Sequence, residues 1–62
     1  MELYQGKWEG MDGKTRTIPS FTGRDETDLV RTARREASVH HTKVVRVWAV
    51  YLSERLVWEE EI

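Results

Sequence analysis

The chain has 62 residues, no cysteine, and ten basic against eleven acidic side chains for a formal charge of −1. A chain this short builds one modest core, so the expectation is a single compact domain over residues 1–62, complete from Met1 and stabilised by aromatic packing, self-association or both. The near balance of charge argues against a general nucleic-acid binder, and no run is long enough for a membrane span or a secretory leader, which makes a cytoplasmic location the default.

From Met1 to Met11, Tyr4, Gly6, Trp8 and Gly10 alternate with Leu3, Gln5, Lys7 and Glu9, the period of two that marks a strand. Asp12-Gly13 follows and predicts a two-residue type I′ hairpin turn, since both central residues of that turn take positive φ. Lys14 to Phe21 then returns as a second strand. In this register Glu9 faces Arg16, Trp8 faces Thr17 and Tyr4 faces Phe21, which supplies one ion pair and one aromatic pair. Pro19 has no N–H to donate and marks the second strand as an edge or a bulge.

Thr22-Gly23 breaks the strand, and Arg24 to about His41 reads as a helix. Asp25, Glu26 and Asp28 crowd its start while His40, His41 and Lys43 crowd its end, both in keeping with the helix dipole. At roughly 100° per residue the buried arc holds Leu29, Val30, Ala33 and Ala37. Two more strands follow, Val44 to Leu52 and Leu56 to Ile62, with a turn near Ser53-Glu54. The fold class is therefore α+β: a small ββαββ domain in which a four-stranded antiparallel sheet carries one helix on one face.

With Ser53-Glu54 as the loop, Tyr51 pairs with Leu56, Ala49 with Trp58 and Val45 with Ile62, all turned toward the helix. The other face then presents Arg46, Trp48, Val50, Val57, Glu59 and Glu61. An apolar group of Trp48, Val50 and Val57, with no further helix to cover it, predicts self-association as a homodimer. A three-residue loop would change that facing, because a one-residue slip moves every side chain to the opposite face.

Three features invite a chemical reading. Neighbouring residues on a helix point about 100° apart, so His40 and His41 do not easily chelate one ion, and Glu36 with His40 is only a two-ligand pair. Both histidines are read as helix-end residues, and no metal or other cofactor is expected. Trp8 and Trp58 are read as core, leaving Trp48 divided between an interface and second-layer packing. Glu59 to Glu61 form a solvated strand end that would repel phosphates and edge-to-edge aggregation.

The third feature is the outer face of the helix, where Arg31, Arg34, Arg35 and Ser38 share roughly a 100° arc. An ordinary solvated face is one reading. The other is recognition, because the planar guanidinium fork fits carboxylates and phosphates. The partner would then be an acidic protein surface or, at a dimer junction, a phosphate-bearing nucleotide-like small ligand.

No nucleophile elbow, P-loop, dinucleotide fingerprint or HExxH motif occurs, and no catalytic residue is assigned. The expected function is non-enzymatic binding, by occupying a partner protein's surface, with sequestration of the phosphate-bearing ligand as the alternative and nucleic-acid binding as a third, less favoured reading. In size and style the chain is similar to accessory and inhibitor proteins of bacterial viruses, a likeness that no motif carries.

Overall fold

The computed structural model describes residues 4–21, 26–51 and 53–60. Four strands, β1 (Tyr4–Gly10), β2 (Thr15–Phe21), β3 (Val44–Val50) and β4 (Glu54–Glu59), flank a single helix α1 (Glu26–Val39) in the order ββαββ. The strands form one open sheet in the order β2-β1-β3-β4, and every pairing is antiparallel. The two hairpins account for the outer pairs, since links so short permit no parallel crossover. The third pairing comes from α1, which crosses the sheet and inserts β3 beside β1, not beside β2.

The helix lies across β1, β3 and β4. Its buried residues, Leu29, Ala33 and Ala37, follow the helical period and meet Trp8, Val44, Val47 and Ala49 from the two central strands. Ile18, Val30, Val57 and Trp58 pack around that cluster. Small residues on the helix allow close approach, and the sheet answers with a glycine. A Cβ at Gly6 would collide with Cδ1 of Leu29, a side chain that is itself buried.

The first hairpin differs from the expected type. Gly13 N–H donates to the Gly10 carbonyl at 3.0 Å, and Gly10 N–H donates to the Lys14 carbonyl at 3.1 Å. Gly13 alone takes positive φ, at 78°. This is a three-residue loop, a type I turn closed by a left-handed glycine. The Asp12 carboxylate accepts the Lys14 N–H at 3.0 Å, which favours this loop over the tighter one. The extra loop residue shifts the register, so Trp8 faces Arg16 and Glu9 faces Thr15. The expected Glu9–Arg16 pair is thereby replaced. A bulge between Tyr4 and Gly6 restores Tyr4 opposite Phe21 in the backbone, although the aromatic contact itself lies outside the described side chains.

In the second hairpin the register also differs from the expected one, so Val50 faces Glu54 and Trp48 faces Leu56. A bulge then leaves Val57 unpaired, and Val47 faces Trp58. Together these changes correct the expected facing. Leu56 joins Trp48 on the face away from the helix, while Val57 turns to pack against the core. Tyr51 is an exposed loop residue. A further bulge between β1 and β3 buries Val44, where simple alternation had favoured Val45. The expected pairing of Val45 with Ile62 and the placement of Glu61 lie outside the described residues, as does the helix start at Arg24 and Asp25.

At its other end α1 stops at Val39, two residues short of the expected His41. Thr42 N–H donates to the Ala37 carbonyl at 3.0 Å and His41 N–H to the Ser38 carbonyl at 3.2 Å. His41 has φ 54°. These bonds form a Schellman motif, in which a left-handed residue closes the helix and satisfies its last carbonyls. Histidine holds the place that glycine ordinarily takes, so no sequence stop signal was present.

Candidate functional site

Two surfaces gather the side chains that could meet a partner. The first lies at the C-terminal half of α1, where the arginine ridge divides. Arg31 is an exposed side chain 3.4 Å from Asp28, and Arg35 is exposed. Arg34, one step nearer the apolar arc, folds inward and sets its guanidinium carbon 4.8 Å from the centroid of the Trp58 ring. Arg34 and Ser38 line a cleft of about 300 Å³. Thr42, Lys43, Trp58 and Glu60 line it as well, together with the buried Ala37 and Val44. Two of the four ridge residues therefore belong to a shared cleft, and Arg31 and Arg35 do not.

Sequence reasoning missed Lys43, Thr42 and Trp58 as companions of that ridge. Lys43 was legible only as a helix-end cation. Its place beside Arg34 depends on the turn after α1 and on β4 arriving against β3.

A second arginine uses the same stacking. Arg16 on β2 lies with its guanidinium carbon 5.0 Å from the Trp8 ring, directly opposite Trp8 in the register. Here the fork is filled: Nη1 donates to Oδ1 of Asp12 at 3.2 Å and Nη2 to Oδ2 at 2.7 Å. The Arg16 bonds, aided by the Lys14 N–H, hold the Asp12 carboxyl at about 2, below its ordinary value of 3.8. His40 also neighbours the Trp8 indole, its ring tilted by 46° with the centroids 6.0 Å apart. Among the described residues no three His, Asp or Glu side chains cluster.

The second surface is the sheet face away from α1, arranged in cross-strand rows. Glu9, Arg46 and Glu59 stand side by side on β1, β3 and β4. Arg46 donates through Nη1 to Glu9 and through Nε to Glu59, each at 2.8 Å. Both bonds stabilise its charged form and push its pKa upward, with Glu59 the larger cause. The next row holds Lys7, Trp48 and Leu56. Lys7 Nζ sits 5.1 Å from the Trp48 ring centroid and 2.8 Å from Glu54 Oε1. Val50 lies between Gln5 and Glu54 in the third row. Of the expected self-association residues, Trp48 and Val50 are on this face, Leu56 takes the place given to Val57, and Val57 packs on the helix side.

No described helix is long and apolar enough to cross a membrane. Comparison of the chain with protein-family models, with curated proteins and with solved structures returns no match.

Proposed function

We propose that this protein is a non-enzymatic binding module of the cytoplasm, which pairs with a second copy through the open face of its sheet and acts by occupying the surface of a partner protein. The observation that carries the reading is the apolar group of Trp48, Val50 and Leu56, which spans β3 and the edge strand β4 on the sheet face opposite the helix. Leu56 is 47% exposed, in a chain whose buried core consists of only seven apolar side chains among the described residues. Covering this group adds the apolar burial that a short chain lacks.

The charges around it favour a second copy over an oppositely charged partner. Glu9, Arg46 and Glu59 satisfy one another, and Lys7 is engaged with Glu54 and Trp48. Each of these side chains has an ion-pair partner within its own copy, so a two-fold operation brings the face against itself with a surplus of only one negative charge per copy. The helix side is left free for the partner protein.

Sedimentation and light scattering at high micromolar concentration test the pairing. The unmutated protein is expected to be a dimer and Trp48→Glu a folded monomer, since a buried carboxylate at the centre of the interface would lack a partner. A monomeric unmutated protein would overturn the reading, as would a Trp48→Glu dimer.

A further inference from the structure

Two arginines in this protein set their guanidinium carbons about 5 Å from a tryptophan ring centroid, and they differ in what fills their forks. On Trp8, the Arg16 fork closes on both oxygens of Asp12. On Trp58, Arg34 makes the same stack, yet among the described residues no carboxylate lies within ion-pair distance of it. A guanidinium held over an indole meets no carboxylate there, so its N–H donors are still available to one. The indole also removes water from one side and restricts the long side chain, so less freedom is lost when an acceptor arrives.

The geometry points to the cleft beside Arg34 as a docking site for an acidic side chain of a partner protein, the carboxylate filling the fork as Asp12 fills that of Arg16. The charge of the lining decides between carboxylate and phosphate. Arg34 and Lys43 bring two positive charges and Glu60 one negative. A single carboxylate balances that sum, whereas a phosphate dianion leaves the cleft negative; the nearby helix C-terminus opposes either anion, and the dianion more strongly. Trp58, Ala37 and Val44 offer apolar contact to the stem of the acidic side chain or to a neighbouring apolar residue. This inference rests on the reading of the protein as a binder of other proteins, and it is independent of self-association because the cleft and Trp48 lie on opposite sides of the sheet.

The test uses the full chain and two blocked dipeptides, acetyl-Leu-Glu-amide and its neutral counterpart acetyl-Leu-Gln-amide. In NMR titrations the Trp58 indole N–H and the Arg34 side-chain N–H are expected to shift saturably with the acidic peptide. The neutral peptide is expected to bind about ten- to hundredfold more weakly, the value of a charged hydrogen-bonded contact. Arg34→Gln should abolish the difference with the fold intact. Arg34→Lys keeps the charge without the fork and should give an intermediate loss, so a misfolded Gln variant would still leave the test decisive. Equal binding of the two peptides would overturn the proposal, as would preference surviving in the Arg34→Gln protein. Tighter binding of inorganic phosphate would overturn it in favour of a phosphate site. Light scattering on the same samples separates this result from the dimer: a monomer that prefers the acidic peptide defeats only the pairing, and a dimer without that preference defeats only the cleft.

Discussion

His41 carries the least favourable backbone conformation of the described non-glycine residues, with φ at 54° in the position that ends the helix. A side chain there costs energy that glycine avoids, although glycine also loosens the unfolded chain. His41→Gly is therefore expected to stabilise the fold by about 0.5–1 kcal/mol, read as a rise in the denaturant midpoint with an unchanged slope. A fall would mean that the imidazole contributes more than the left-handed conformation costs. Asp12 offers a second residue-level test. Its folded pKa of about 2 lies below the ordinary 3.8, so the unfolded chain takes up the proton first as the solution is acidified. The stabilisation is whole above pH 3.8 and is lost as pH falls through about 2. Asp12→Asn should lower stability near neutrality and flatten the dependence in that acid window, as denaturation at a series of pH values would report. An unchanged acid limb would remove Asp12 from the account.

Among the elements, α1 and β1 are held at a spacing set by one missing methyl. Gly6 sits under Leu29, and the Leu29 side chain is enclosed by the core, so its end has little room to swing aside. Gly6→Ala should cost about 1–3 kcal/mol through overpacking, despite the better strand propensity of alanine. Equilibrium denaturation would measure it, and a neutral result would show that the helix can lift from the sheet without loss. The hairpins show the complementary behaviour. Each departs from the expected register, and bulges on β3 and β4 then aim Val44 and Trp58 at the core where strict alternation in the observed register would send them outward.

Across the whole molecule the two faces of the sheet have different fates. One is covered by α1, and the other presents Trp48, Val50 and Leu56 between rows of paired charges. If the second copy covers that face, folding and association are linked, and the melting temperature must rise with protein concentration. Trp48→Glu should remove that concentration dependence together with the dimer. A melting temperature independent of concentration in the unmutated protein would count against the pairing. Under the proposed pairing the two tasks would be separate, because the second copy would cover the sheet face and the cleft at the end of α1 lies on the other side.

The sequence by itself determined the kinds of element, their order, and the inward residues of the helix, because these follow from local periodicity. Leu29, Ala33 and Ala37 recur at the helical spacing whatever packs on them. It also located both turns. Tertiary structure decided the loop lengths, the register, the strand order and the companions of each arginine. Asp12-Gly13 satisfies a two-residue turn on backbone preference alone; the longer loop instead accompanies the Asp12 bonds to Lys14 and Arg16. Register is equally non-local, since one added residue in a loop exchanges the two faces of a strand, and a bulge exchanges them back. That is why Trp48 and Val50 were legible as open-face residues while Leu56 and Val57 were interchanged. It is also why an arginine ridge was visible in the sequence, but the tryptophan beneath Arg34 was supplied only when β4 came to rest against β3.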